Sequence, residues 1–156
     1  MGLDDLQAGL RLVAEHRDEA DFAGPRPQEL IEQAEAALGV RLPPSYRAFV
    51  QELGAGDIGG EEFYGLTSAD FESSSVPNGI WVTLQERDDS ELPESLIVVY
   101  SVGEGTLYAL DTSQAGDDGE APVVAWAPGA SAPGGGLETV APDFGAFFRE
   151  TVERAV

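Results

Sequence analysis

The 156-residue chain has no cysteine and only one histidine, and all eight of its basic residues are arginine. Without cysteine there can be no disulfide, thiolate nucleophile or zinc–thiolate site. Without lysine there is no Walker-type phosphate loop. The one histidine, His16, falls at the end of a surface helix, where an imidazole is a solvated or C-terminal capping group and not a base, so a Ser-His-Asp hydrolase has little support. No apolar run approaches the ~20 residues needed to span a bilayer. The opening MGLDDLQAGL carries acids where a signal peptide needs basic residues, and Leu6 stands where a myristoylation start wants Ser or Thr. These absences point to a soluble, cytoplasmic protein.

What the chain has in excess is negative charge. Twenty-nine acids against eight bases give a formal charge of −21. A field of that sign repels nucleic-acid phosphates and anionic membranes, and it attracts a basic partner. A solubility margin, salt adaptation or codon bias produces the same composition, so charge alone names no partner. The 42% hydrophobic content fits one domain burying roughly 68–70% of its unfolded surface.

The most specific local pattern runs from Gln28 to Gly54. Ile31, Ala34 and Leu38 recur at helical spacing and Gly39 follows as a stop; Leu42-Pro43-Pro44 blocks continuation; Tyr46, Phe49, Val50 and Leu53 then form a second stripe ended by Gly54. Before this pair, Leu3, Leu6, Leu10 and Val13 mark a helix from Leu3 to about His16, and Arg17 to Arg26 reads as a loop. After it, Gly54 to Gly60 is too glycine-rich for regular structure and reads as a mobile loop. Phe63 to Leu66 reads as a short strand and Asp70 to Asn78 as turns.

Ile80 to Asp89 starts like a strand and ends like a helix, and periodicity does not decide between them. Leu96 to Tyr100, Thr106 to Asp111 and Pro122 to Ala127 read as strands. Ser101 to Gly105 is a hairpin loop and Gln114 to Glu120 an acidic turn. Pro128 to Gly136 reads as a flexible excursion. A last helix, about Pro142 to Arg154, places Phe144, Phe147, Phe148 and Val152 on one face.

The loops offer no catalytic signature. Pro133 stands where a nucleophile elbow needs its second glycine; Gly103-Glu104-Gly105 lacks the third glycine of a dinucleotide fingerprint; an EF-hand loop started at Asp111 puts Ala115 and Pro122 at ligand positions. Adventitious cation binding at Asp117-Asp118 or Glu61-Glu62 stays open, as does a pair of carboxylates meeting only in space. The acids have another use. Asp57, Glu61 and Glu62 flank Phe63-Tyr64, and Glu104, Asp117, Asp118 and Glu120 sit on turns. Acids around an aromatic anchor such as Tyr64 suit a surface that meets a basic protein, whereas each acid taken singly is more often a solvated turn.

The run Ile31, Glu35, Leu38-Gly39, Leu42-Pro43, Tyr46, Phe49 and Leu53-Gly54 resembles the signature of the SUKH superfamily, bacterial immunity proteins related to the fungal cell-wall assembly regulator. Phe63 to Leu66, Arg87 before Leu92-Pro93, Gly103 to Asp111, Pro122 to Val124 and Phe144 to Phe147 continue the resemblance in order, over about residues 25 to 152. Leu53 departs from it, because the family often has asparagine there. The resemblance implies an α+β fold: one domain over residues 1–156, with N-terminal helices and a C-terminal helix packed on a twisted, mainly antiparallel sheet. It tips Ile80 to Arg87 towards a short helix. It also implies a protein without catalytic residues, metal or cofactor, which in bacterial relatives binds and neutralises a secreted nuclease or deaminase toxin.

Overall fold

The computed structural model describes residues 2–129, 131 and 136–156. Its centre is a seven-stranded sheet in which every strand pairs antiparallel with its sequence neighbour, in the order β1 to β7. The strands are β1 (Ala20–Phe22), β2 (Gly56–Ile58), β3 (Glu61–Phe63), β4 (Leu96–Gly103), β5 (Thr106–Asp111), β6 (Val123–Trp126) and β7 (Thr139–Ala141). Five α-helices are described: α1 (Gly2–Glu15), α2 (Gln28–Leu38), α3 (Pro44–Leu53), α4 (Gly79–Ser90) and α5 (Phe144–Ala155).

Why strands β4 to β6 read as continuous apolar runs follows from the sheet being covered on both faces. Along β4, Ile97 and Val99 enter the larger core cluster with α1, α2, α3 and α5, while Leu96 and Val98 enter a smaller one with Leu92 and Trp126. Leu110 and Val123 follow the first set, Ala109 and Val124 the second. Alternating side chains are thus buried on opposite sides, and no polar face is left to betray the period.

The larger cluster is aromatic. Phe49 of α3 is fully buried and meets Phe22, Tyr46, Phe63, Phe144 and Phe148 at centroid distances of 5.2–6.2 Å. Helix α1 packs along α5 through Leu6, Gly9 and Val13; a Cβ at Gly9 would lie 2.6 Å from the Phe148 ring. Leu3, placed on that stripe by spacing, is 48% exposed, and the small face of glycine does the packing instead.

The organising pair forms as its sequence dictates. Gly39 takes the left-handed conformation at φ 77° and donates its N–H to Glu35 O at 2.8 Å, and Pro44 opens α3. The ambiguous stretch is helix: Asn78 caps α4 by accepting from the backbone N–H of Ile80 and Trp81 at 3.1 and 3.2 Å. Ile80 serves the larger cluster and Val82 the smaller, so apolar residues crowd its first turn without a stripe. Beyond Phe63, β3 leaves the edge of β4 open, and α4 closes it. Thr83 Oγ1 donates to Gly79 O at 2.6 Å and accepts from Val98 N at 2.9 Å.

Four sequence expectations change. The Arg17 to Arg26 loop contains a 3₁₀ turn and β1, and the glycine-rich Gly54 to Gly60 contains β2 with Ala55 and Ile58 buried. Short strands in Asp- and Gly-rich sequence carry no period, and Gly56 is required because a Cβ there would overlap the Asp21 carbonyl. The strand expected at Phe63 to Leu66 runs instead from Glu61 to Phe63, and the Ser101 to Gly105 loop shrinks to Glu104-Gly105, both at positive φ. Most of the Pro128 to Gly136 excursion lies outside the described residues.

Candidate partner-binding surfaces

Strand register brings three acids side by side. Asp21 of β1 pairs with Asp57 of β2, and Asp57 with Glu62 of β3. Phe22 and Phe63 turn into the larger cluster, so alternation sends Asp21, Asp57 and Glu62 to the opposite face of the sheet. None of the three forms an ion pair among the described residues. Like charges opposite one another on neighbouring strands are unfavourable. Accordingly the Glu62 carboxyl titrates above its ordinary range, pushed up first by burial and then by Asp57.

Glu61, one residue away, points the other way and accepts a hydrogen bond from the Tyr100 hydroxyl. Burial, that bond and the charge of Glu61 together push the Tyr100 phenol up to about 12. Tyr100 stacks on Tyr108 at 5.6 Å. Glu61 is therefore committed within the fold.

Tyr64, expected as a surface anchor, is only 7% exposed. It belongs to the smaller core cluster, and its raised phenol pKa comes from burial first and the neighbouring Glu62 second. A tyrosine beside acids in sequence reads as an anchor; its burial follows from pairing, since Tyr64 N donates to Val99 O at 2.8 Å.

Glu120 is also turned inward. Its carboxylate accepts from Ser45 Oγ at 2.8 Å and from Ser45 N at 3.1 Å, which caps the N-terminus of α3, where Pro43 offers no side-chain cap. Ser45 Oγ in turn accepts from Gly145 N at 3.0 Å, and Asp143 caps α5 through Ala146 N at 2.8 Å. The N-termini of α3 and α5 are thereby joined through Ser45. Burial raises the Glu120 pKa, the Ser45 bonds oppose that, and Asp143 and Asp118 add to it. Tyr64 and Glu120, both expected at the surface, are thus buried inside the molecule.

Asp117 and Asp118 remain exposed, on the turn before Glu120. They line an open groove of about 570 Å³ between the 112–119 turn and the 40–44 connection of α2 to α3. Glu35 fixes the second wall, because its carboxylate accepts from Leu42 N and pairs with Arg47, both at 2.8 Å. Glu104 stands apart at the β4–β5 hairpin tip, exposed beside Val102. The seven predicted acids and Tyr64 therefore do not form one patch. Asp57 and Glu62 share the sheet row, Asp117 and Asp118 the groove.

Sequence reading missed Asp21, Glu35 and Ser45 as determinants of these surfaces. Only the Glu35 position carried a signal, through the helix-pair motif. His16 Nδ1 lies 2.9 Å from Leu12 O at the end of α1, the capping place its position implied. Among the described residues no group of three or more His, Cys, Asp or Glu could hold a metal ion, and no helix is long and apolar enough to cross a membrane.

The sheet with its helices, and the Gln28 to Gly54 pair that caps it, match a known family. Residues 28–148 fit the SUKH_6 family, described as SMI1-KNR4 cell-wall, across most of the chain. The protein is a member of that family, within the SUKH superfamily.

Proposed function

We propose that this protein is a non-enzymatic immunity protein, acting in the cytoplasm, that binds and neutralises a cognate secreted polymorphic toxin of nuclease or deaminase type. Family membership supports a protein-binding role. The observation that carries the choice of surface is the row Asp21–Asp57–Glu62: three acids in register, without described ion pairs, on a chain of net charge −21. Proteins that bind nucleic acid are basic, so a nuclease toxin is complementary to this face, and the match speeds encounter more than it deepens affinity.

Co-expression with the toxin gene nearest in the genome tests the reading. Rescue of growth and copurification of the pair are expected, with association slowing as salt rises. Toxicity undiminished by the protein contradicts it. The family description, with its reference to the cell wall, favours a second reading: a regulatory or scaffold adaptor that binds several cellular proteins. A genomic neighbourhood without a toxin gene would select that reading.

A further inference from the structure

The groove between the 40–44 connection and the 112–119 turn has apolar, cationic and anionic parts in a fixed arrangement. Val40, Pro43 and Pro44 supply apolar surface; Asp117 and Asp118 stand on one wall and Arg41 on the other. Both walls are held from behind by carboxylates that are already satisfied. Glu35 ties Leu42 and Arg47, and Glu120 ties Ser45. The acidic turn is closed on itself: Gly116 N donates to Glu120 O at 2.9 Å, Gly119 N to Gly116 O at 3.0 Å, and Glu120 N to Asp118 Oδ1 at 3.0 Å. Arg41 and Asp117 are exposed and form no hydrogen bond or ion pair among the described residues. The walls are thus preorganised while Arg41, Asp117 and the second oxygen of Asp118 keep their capacity for a partner, so a ligand pays little to order them.

We infer that this groove docks a basic segment of the protein partner, an arginine whose aliphatic stem lies on Val40, Pro43 and Pro44 and whose guanidinium meets Asp117 and Asp118. The inference rests on the partner-binding reading above and adds to it a place and an occupant. Charge selects the occupant: the lining holds two carboxylates against one guanidinium, on a chain of net charge −21. Arginine fits both halves of the groove, since its stem covers apolar surface while its planar head pairs with carboxylate oxygens. Arg41, unpaired among the described residues on the opposite wall, then opposes the incoming arginine by like-charge repulsion.

The test is a titration of the ¹⁵N-labelled protein with a blocked hexapeptide of alternating arginine and tryptophan, with the glutamate–tryptophan peptide as control. Amide shifts at Val40, Arg41, Thr112 and Ala115 are expected with the arginine peptide alone. The Asp117→Asn/Asp118→Asn double variant keeps the Asp118 oxygen that caps Glu120 N and is expected to bind about three- to tenfold more weakly, the scale of two exposed ion pairs. Arg41→Ala is expected to bind more tightly. Shifts confined to Asp21, Asp57 and Glu62, no binding, or weaker binding by Arg41→Ala each overturn the inference. A double variant that neutralises the toxin with unchanged potency also overturns it and leaves the proposed function standing. If the wild-type protein fails to neutralise the toxin, the function falls, and the titration still decides what the groove binds.

Discussion

The two halves of the sheet are built by opposite means. Strands β4 to β6 are held by side chains: both faces of LIVVY are buried, and even the open edge of β4 is closed by a hydroxyl from α4. Strands β1 to β3 have three residues each and are held by backbone proximity, with Gly56 admitting the Asp21 carbonyl. Their inner face still reaches the core through Phe22, Ile58 and Phe63, but their outer face carries Asp21, Asp57 and Glu62. The difference separates two tasks. The central half stabilises the fold, and the glycine half holds like charges together at some cost to it.

The largest effect should come where the two halves meet. Phe49 contacts Phe22 and Phe63 of the glycine half and Phe144 and Phe148 of α5. Phe49→Ala is expected to cost ~3–5 kcal/mol in denaturant unfolding, with both halves melting together. Separate transitions would break the picture of one shared core. In the glycine half, Gly56→Ala is expected to cost about 1–3 kcal/mol by forcing β1 and β2 apart, with faster amide exchange confined to β1 and β2. On the central side, Thr83→Val leaves the buried Val98 N–H without its partner and is expected to cost about 1–3 kcal/mol. An unchanged midpoint there would mean that α4 does not close the β4 edge.

Acidity sharpens the comparison further. Glu62 and Glu120 both have carboxyl pKa values raised in the folded state, so the folded protein holds these protons more tightly than the unfolded chain. Their contribution is fully present below the ordinary carboxylate range and is lost as pH rises through the raised values. The melting temperature is therefore expected to climb as pH falls from neutral towards that range, and Glu120→Gln should make the climb shallower. A melting temperature that falls over the same interval contradicts this sign.

How much of this was readable in the chain follows the same division. The helix pair, the apolar strands and α5 announced themselves, because burial on one or two faces leaves a period or a run. Strands β1, β2 and β7 did not, since their pairing depends on distant backbone, as when Gly59 N bonds Glu19 O. Helix α4 was ambiguous because Ile80 and Val82 serve different clusters. Asp57 and Glu62 could be named as partner-facing acids, yet only register shows that they are neighbours and that Glu61 is not. Glu120 was beyond sequence altogether: its partner Ser45 is 75 residues away.

The central claim is that the glycine half keeps an unneutralised acidic row at a cost in stability. Unfolding of Asp57→Asn, measured by denaturant at low ionic strength and again in 1 M salt, tests it most directly. The account predicts a gain of roughly 0.2–1 kcal/mol per relieved pair at low salt, vanishing at high salt where the charges are screened. A loss of stability, or a gain indifferent to salt, would mean that Asp57 serves the fold and not the surface.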